Sequence, residues 1–399
     1  MIKVLHILPY EHYVDCVIGL WDETKAQCDF VCIDSVDKTQ AYIFSDRIQL
    51  ISKGKLCEML SSKEYDVIVY SSLPTHMYDY VLRIPQDKVV IWQSVGYDIY
   101  AANYPYPAVV KLPVYKQETK AFVESYQKKS FWMQMRHVIA QSVKFVATIK
   151  KNIERRHTEL YAQNVQNKVL ARIDYISTVL DPEYELLQRN LNVKAKFFRF
   201  KYTRPFHISY NDYLIDFNMT KYLLIGNSGD ETNNHLDVLS IIERRNITTP
   251  LYVPLAYCGE QVYLNEVKDR LMSNSDNIVQ TTFIERAKYL EILHKCRAAV
   301  FGHVRQQALG NINVMLAQGC KVFLYKDCVT YDYYKQLGFH IYSIEDDLSQ
   351  VNIDTPLTKE QIMHNRSFFE HAYDDTLKAF KNDVKDIEVL VNQRKITQC

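Results

Sequence analysis

Glycines and small polar residues follow an apolar run at 223–225, and this combination is suited to binding an anion. The candidate residues are Gly226, Asn227, Ser228, Gly229, Asp230, Thr232 and Asn233. Glycines at the end of a strand let backbone N–H groups approach an anion, and the N-terminus of a following helix favours negative charge. The stretch therefore predicts an anion-binding loop, with a solvated strand–helix turn as the alternative.

A second polar junction follows the apolar residues 298–301. Its candidate residues are Arg305, Gln306, Gln307, Gly310 and Asn311. An arginine offers a bidentate fork that suits phosphate, and the two glutamines can donate to phosphate or to sugar hydroxyls. A surface salt bridge is the alternative role for the arginine. Two such junctions in one half of the chain favour a shared ligand.

Acidic residues follow two apolar runs of the first half. Asp98 comes shortly after Gly96 at the end of one run, where a carboxylate can act as a general base. A helix cap is the alternative role. Glu11 and His12 follow the first apolar run and form a second acid–base candidate set, with a plain polar loop as the alternative.

Short apolar runs alternate with helical patterns in both halves, which predicts an α/β fold with two parallel, doubly wound sheets. The predicted strands are 2–8, 29–35, 66–73, 88–94, 221–228, 250–257, 277–283, 298–303, 320–326 and 339–344. Ligands bind beyond the carboxyl ends of such strands, so a cleft between two facing sheets is the expected site. No G-x-G-x-x-G sequence follows the first strand, which argues against an NAD enzyme.

Two domains are expected because 399 residues exceed one ordinary core. The predicted organisation is an N-terminal Rossmann-like domain at 1–185, a linker region at 186–220, a C-terminal Rossmann-like domain at 221–360 and a helical tail at 361–399.

Composition excludes several classes of protein. A formal net charge of +1 gives no sign of nucleic-acid binding, and no apolar run is long enough to span a membrane. Nine scattered cysteines without metal-site spacing indicate reduced thiols in a cytoplasmic protein. The absence of a D-x-D pair predicts that no metal ion holds a diphosphate.

The helical region 111–157 is strongly basic. It holds eleven Lys and Arg residues against three Glu residues, interleaved with aromatic side chains. This pattern predicts peripheral contact with an anionic membrane, with a solvated charged face as the alternative.

Over about 220–345 the chain resembles the bacterial TDP-N-acetylfucosamine:lipid II N-acetylfucosaminyltransferases, also called 4-alpha-L-fucosyltransferases, of the GT-B class. That family carries G-N-S-G-D, then S/T-N and a histidine, then V-P-[ML]-x-Y, and later R-Q-Q-x-x-G. The corresponding positions here are 226–230, Thr232, Asn233, His235, 253–257, Arg305, Gln306, Gln307 and Gly310. A thinner match to W-x-x-W-G-x-D-[LI]-Y in the first half comprises Trp92, Gly96, Asp98, Ile99 and Tyr100, with Val95 replacing the second Trp.

The resemblance implies a GT-B fold with two Rossmann-like domains facing a central cleft and a C-terminal helix returning to the N-terminal domain. The N-terminal domain would bind the acceptor and the C-terminal domain the nucleotide-sugar donor. The donor diphosphate would lie against 226–230, Arg305, Gln306 and Gln307, with no metal ion and no cofactor. The remaining implied donor-site residues are Asn233, Tyr257, Phe283, Ile284, Gly310 and Asn311, with the base near Phe283 and Ile284.

The resemblance also indicates the donor nucleotide. Many GT-B relatives that use ribonucleotides hold the ribose diol with a Glu five residues before the glycine that ends the helix. Here that position is Val314, which favours a deoxyribose donor such as a dTDP-sugar.

The expected activity is transfer of a fucose-type deoxyhexose or acetamido-deoxyhexose to a lipid-linked saccharide. This reaction would serve surface polysaccharide synthesis of the enterobacterial common antigen or O-antigen type, on the inner face of the cytoplasmic membrane. If the transfer inverts the anomeric centre, Asp98 is the expected base, followed by Glu11 or His12; if it retains, Asp98 would position substrate. The alternatives are a nucleotide-sugar 2-epimerase and a non-catalytic polysaccharide-assembly protein.

Overall fold

The structure, a computed structural model, describes most of the chain. The described residues are 1–9, 11, 13–33, 45–100, 106–110, 112–127, 145–191, 193–200, 214–272, 274–370 and 372–397.

Strands and helices alternate along these residues. The strands are β1 Lys3–Ile7, β2 Gln27–Ile33, β3 Ile48–Ile51, β4 Val67–Ser71, β5 Val89–Gln93, β6 Tyr175–Ser177, β7 Lys196–Phe197, β8 Tyr222–Ile225, β9 Leu251–Pro254, β10 Ile278–Gln280, β11 Cys296–Phe301, β12 Lys321–Leu324 and β13 Tyr342–Ser343. The helices are α1 Val14–Asp22, α2 Lys53–Ser61, α3 Tyr78–Arg83, α4 Tyr97–Tyr100, α5 with its described part at 117–127, α6 Phe145–Arg172, α7 Asp181–Leu191, α8 His235–Arg244, α9 Gln261–Leu271, α10 Arg286–Leu293, α11 Leu309–Ala317, α12 Val329–Gln336, α13 Gln350–Asp354, α14 Lys359–Glu370 and α15 Ala372–Thr397. Short 3₁₀ turns lie at Thr75–Met77, Phe217–Met219 and Glu231–Asn233.

Both sheets are parallel and doubly wound. The first sheet has the order β3-β2-β1-β4-β5-β6-β7, and the second has the order β10-β9-β8-β11-β12-β13. Every residue of the central strands β4 and β5 is buried, as expected for parallel strands that are covered on both faces. The predicted α/β class with two parallel sheets is confirmed.

All ten strands predicted from the sequence are present, and three others were missed. The missed strands β3, β6 and β7 have two to four residues, and each lies at an edge of the first sheet or next to one. The predicted helical run at 358–391 is two helices, α14 and α15.

The chain divides into two compact units that are discontinuous in sequence. The first unit comprises Met1–Lys111, Phe145–His207 and His371–Cys399, and the second comprises Leu112–Lys144 and Ile208–Glu370. These units differ from the continuous ranges expected from the sequence. Residues from the expected linker form β7 at the edge of the first sheet, and α5 groups with the second sheet.

Helix α15 packs on the first sheet, so the chain ends in the unit where it begins. The ring of Phe380 is fully buried, and ring centroids of Trp21, Phe198 and Phe200 lie 5.2, 5.5 and 5.9 Å away. Near the end of the helix, Arg394 donates to a carboxylate oxygen of Asp174 at 3.0 Å. An aromatic cluster and an ion pair therefore hold α15 in place.

Part of the basic region 111–157 faces protein. The Nζ of Lys116 lies 2.7 Å from a carboxylate oxygen of Asp327, and the ring of Phe122 packs on Tyr263. These two side chains are therefore not available to lipid. Residues 111 and 128–144 lie outside the described residues, as do the side chains of 145–157. Among the helices that the structure describes, none has the length and apolar character needed to cross a membrane.

We expect Phe380→Ala to lower the free energy of unfolding of the first unit by about 3–5 kcal/mol, because it empties a fully buried ring site. Chemical denaturation followed by circular dichroism measures this change. Val389→Ala, at a half-exposed position of the same helix, is the matched control and should change stability by less than about 0.5 kcal/mol. Equal effects of the two variants would contradict the packing described for α15.

Candidate functional site

Two polar loops meet at the centre of the second sheet. Strands β8 and β11 are parallel neighbours, with Leu224 opposite Ala299 and Ile225 opposite Val300. The strand order of this sheet reverses between them, and ligands of doubly wound sheets bind at such a point. The loop after β8 and the loop after β11 therefore lie side by side where a ligand is expected.

The loop after β8 uses its glycine N–H groups internally. Gly226 donates to the carbonyl oxygen of Val300 at 2.9 Å, and Gly229 donates to that of Tyr257 at 2.7 Å. Tyr257 thus meets the loop through its backbone, while 69% of its side chain is exposed. The sequence predicted that the glycines would let backbone N–H groups of this loop approach an anion; the N–H groups of Gly226 and Gly229 themselves bond neighbouring carbonyl groups.

Close packing explains why glycine is required at both positions. Gly226 has a φ of +68°, and a Cβ there would lie 2.9 Å from both Asn233 Oδ1 and His235 Nε2. A Cβ at Gly229 would lie 2.6 Å from the carbonyl oxygen of Cys258. The glycines therefore let the loop fold tightly on itself and on its neighbour.

Asn233 holds this loop together from inside. Its side chain is almost fully buried. The amide nitrogen donates to Ser228 Oγ at 3.1 Å and to the carbonyl oxygen of Asp230 at 3.1 Å, while Oδ1 accepts from the N–H of Asn227 at 3.1 Å. Asn233 and Ser228 are therefore framework residues of the site.

Side chains from the two loops meet in one polar cluster. Thr232 Oγ1 donates to Gln307 Oε1 at 2.7 Å, and Gln307 Nε2 donates to Asn227 Oδ1 at 3.3 Å. Arg305 Nη2 lies 3.4 Å from Thr232 Oγ1. The structure thus brings together two motifs that are about 75 residues apart in sequence.

Arg305 carries the positive charge of this cluster. Its side chain is half-buried, and its described hydrogen bonds are two long ones, to Thr232 Oγ1 and to the carbonyl oxygen of the buried Gln306, each 3.4 Å. Its guanidinium forms no ion pair with the residues that the structure describes. A half-buried guanidinium that forms no described ion pair can bind an anionic ligand.

Two buried histidines flank the loops without adding charge. Burial lowers the pKa of His235 to about 4. Burial, together with the charge of Arg305, lowers the pKa of His303 to about 3. His303 Nδ1 lies 3.7 Å from Cys328 Sγ. Both rings are therefore neutral at physiological pH. Sequence reasoning named neither as a site residue, although His235 belongs to the motif after β8.

The other sequence-predicted donor residues belong to α11 and to the loop after β10. Gly310 and Asn311 are in the first turn of α11, where the Asn311 amide donates to Tyr289 OH at 2.9 Å. Phe283 is 77% exposed and Ile284 is half-buried after β10. Among the described residues, no hydrogen bond or ring contact joins Phe283 or Ile284 to the cluster, so their predicted role in holding a base remains a prediction.

In the first unit, Asp98 is buried and fully hydrogen-bonded. Its Oδ2 accepts from the N–H of Leu73 at 3.0 Å and from Trp92 Nε1 at 2.7 Å. Its Oδ1 accepts from Ser94 Oγ at 2.8 Å and from the N–H of Val95 at 3.1 Å. Burial raises the pKa of the Asp98 carboxyl, and the four donors partly offset that rise. These contacts make Asp98 a link between the loops after β4 and β5, and a base role would require displacing a donor.

Glu11 is exposed beyond β1, at the same edge of the first sheet. Burial raises the pKa of Tyr97, and the carboxylates of Asp98 and Glu11 raise it further, so both acids lie within electrostatic range of one ring. His12, the third predicted catalytic residue, lies outside the described residues.

The family model described as 4-alpha-L-fucosyltransferase, glycosyl transferase group 56, matches residues 162–382, more than half of the chain. The chain belongs to this family. This 4-alpha-L-fucosyltransferase family member is thus a glycosyltransferase, as the sequence motifs predicted.

Solved structures with 9–10% sequence identity share the fold of this family member. Trehalose 6-phosphate synthase from Burkholderia multivorans has a TM-score of 0.58 and 10% identity, over 100% of this chain and 98% of that chain. The lipopolysaccharide outer core galactosyltransferase WaaB has a TM-score of 0.55 and 9% identity, over 96% of this chain and 99% of that chain. HepE from Anabaena, solved in complex with UDP and glucose, has a TM-score of 0.51 and 10% identity, over 100% of this chain and 99% of that chain. The predicted GT-B fold is confirmed.

We expect Asp98→Asn to lower the free energy of unfolding by about 1–3 kcal/mol, because an amide N–H₂ would face two buried donors that then lack an acceptor. Urea denaturation measures this change. Asp46→Asn, the same change at an exposed position, should leave stability unaltered. An Asp98→Asn protein with full stability but no transfer activity would instead support the role of Asp98 as a base.

Proposed function

We propose that this chain transfers a fucose-type deoxyhexose or acetamido-deoxyhexose from a nucleoside diphosphate, dTDP, to a lipid-linked saccharide. The observation that carries the proposal is the polar cluster of Asn227, Thr232, Arg305 and Gln307 at the point where the strand order of the second sheet reverses. Membership of the 4-alpha-L-fucosyltransferase family supports the reaction class.

The chemistry of the cluster suits a sugar diphosphate. A diphosphate needs a cation, and the guanidinium of Arg305, which forms no ion pair with a described residue, offers several N–H donors. Sugar hydroxyls need neutral donors and acceptors, which the side chains of Asn227, Thr232 and Gln307 supply. Arg305 would also stabilise the charge that develops on the leaving nucleoside diphosphate.

The first turn of α11 adds positive electrostatic potential near Arg305. The helix begins at Leu309, four residues after Arg305, and the N-terminus of a helix carries partial positive charge. Gly310 and Asn311 lie in that turn, and the Asn311 side chain is held by Tyr289. We assign these two residues to the helix end that faces the diphosphate.

Two observations support the nature of the donor. HepE, which shares this fold, was solved with UDP and glucose, in accord with a nucleoside diphosphate sugar as the donor class. In this chain Val314, at the position where the resemblance expects a ribose-binding Glu, is buried in α11 and has no polar group. A donor without the 2′-hydroxyl, such as a dTDP-sugar, loses nothing at that position.

The acceptor proposal rests on the family resemblance and on charge. WaaB, another structure with this fold, is a lipopolysaccharide galactosyltransferase, in accord with surface polysaccharide synthesis. The basic region 111–157 would hold the enzyme peripherally on the inner face of the cytoplasmic membrane, through residues other than Lys116 and Phe122.

An inverting reaction needs a base for the acceptor hydroxyl. Among the described acids of the first unit's carboxyl edge, Glu11 is the better placed to exchange a proton with substrate because it is exposed. Both oxygens of Asp98 are already bonded, so Asp98 orders the loops after β4 and β5.

We expect Arg305→Ala to lower kcat/KM for the donor, with a loss of about 2–4 kcal/mol of transition-state stabilisation, because it removes the cation that binds the diphosphate. Calorimetric titration should show weaker binding of dTDP and unchanged binding of thymidine. Lys288→Ala removes an equal charge from the exposed face of α10 and is the matched control. Unchanged kinetics of Arg305→Ala would remove Arg305 from the site.

We also expect transfer to continue at its full rate in excess EDTA, because Arg305 and the first turn of α11 supply the positive charge for the leaving group. A radiolabelled-sugar transfer assay with and without the chelator measures this. Loss of activity that added Mg²⁺ or Mn²⁺ restores would contradict the proposed chemistry.

A further inference from the structure

Asn234 ties a remote segment of the chain to the loop after β8. Its Oδ1 accepts from the N–H of Lys116 at 2.7 Å, and its Nδ2 donates to the carbonyl oxygen of Val114 at 3.1 Å. Asn234 is fully buried with a φ of +51°, and it also donates to the carbonyl oxygen of Gly302 after β11 at 2.8 Å. The two neighbours of Tyr115 are therefore fixed to the residue at which both polar loops are joined.

A second anchor fixes the direction of the segment. The carboxylate of Asp237 in α8 accepts from the N–H groups of Glu118 and Thr119 at 2.8 and 2.9 Å, which caps the first turn of α5. Phe122, one turn further on, packs on Tyr263 in the second unit. With anchors on both sides, Tyr115 has little freedom to leave the loop after β8.

The hydrogen bonds of Val114 and Lys116 to Asn234 place the backbone of Tyr115 against the loop after β8. The side chain is half-buried and makes no hydrogen bond with the residues that the structure describes. Burial raises the pKa of Tyr115, the carboxylates of Glu231 and Asp230 raise it further, and the guanidinium of Arg305 lowers it. The phenol is therefore within electrostatic range of Arg305, the group assigned to the diphosphate.

Tyr126, on the same segment, has a hydroxyl with a described partner. Its hydroxyl lies 3.4 Å from Glu231 Oε1, and that oxygen also accepts from the N–H of Glu260 at 3.0 Å. Tyr126 thus contributes to the framework that joins α5 to the start of α9. The segment carries one tyrosine hydroxyl that is bonded to protein and another, of Tyr115, that has no partner among the described residues.

We propose that Tyr115 is a donor-binding residue, whose phenolic O–H donates a hydrogen bond to a diphosphate oxygen of the nucleotide sugar next to Arg305. This inference rests on the proposed function. A neutral phenol is a good donor to an anionic oxygen, and the bond would use a hydroxyl that has no other described partner. Tyr115 lies outside residues 162–382, so the segment would complete a site whose other members lie inside the family match.

The test compares Tyr115→Phe with Tyr126→Phe in the full-length protein. Calorimetric titration with dTDP and donor-saturation kinetics are the measurements. We expect Tyr115→Phe to raise the Kd for dTDP and the donor KM about tenfold, as for a lost hydrogen bond to a charged group. Binding of thymidine, the acceptor KM and the melting temperature should not change, because Tyr115→Phe removes no described hydrogen bond within the protein.

Tyr126→Phe makes the same chemical change on the same segment and should bind dTDP within twofold of wild type. If Tyr115→Phe also binds like wild type while Arg305→Ala binds weakly, the inference about Tyr115 fails and the proposed function stands. Equal weakening by both tyrosine variants would assign the effect to docking of the segment and would also overturn it. If wild type binds none of dTDP, UDP, GDP and ADP, both proposals fail.

Discussion

The parallel pairing of β8 with β11 is the constraint on which the candidate site depends. These strands are separated in sequence by β9 and β10, yet they are neighbours because the strand order reverses between them. Parallel neighbours end at the same edge of a sheet, so the loops that follow them must share space. The hydrogen bonds that join Thr232 to Gln307 and Gln307 to Asn227 follow from that geometry.

Sharing that space requires small residues and buried amides. A Cβ at Gly302 would lie 2.4 Å from the carbonyl oxygen of Asn233, so the loop after β11 approaches the other loop only because its first residue is glycine. Asn233 and Asn234 then satisfy the backbone groups that this approach buries, since unpaired buried polar groups are costly. The framework leaves Arg305 with long hydrogen bonds and no described ion pair, which is the state expected of a cation that binds an anionic substrate.

The two units assign contrasting roles to their polar residues. Asp98 was a candidate base from the sequence, and four donors surround its carboxylate in the structure. Arg305 was a candidate phosphate ligand with a surface salt bridge as the alternative, and the structure shows no such bridge among the described residues. Both residues follow a strand, so their positions in the sequence could not distinguish a structural role from a ligand-binding role. The hydrogen-bond donors or counter-charges around each side chain do distinguish these roles.

The sequence by itself determined the two parallel sheets, because strands buried on both faces must be continuous apolar runs, and it determined which loops carry the polar motifs. It missed three short strands, β3, β6 and β7, and it did not show that the N–H groups of Gly226 and Gly229 bond neighbouring carbonyl groups. Only the tertiary structure placed Tyr115 against the loop after β8, because Val114 and Asn234 are 120 residues apart and no local pattern encodes a hydrogen bond of that range. Periodicity reports which residues are buried, whereas the partner of a buried polar group depends on how the whole chain folds.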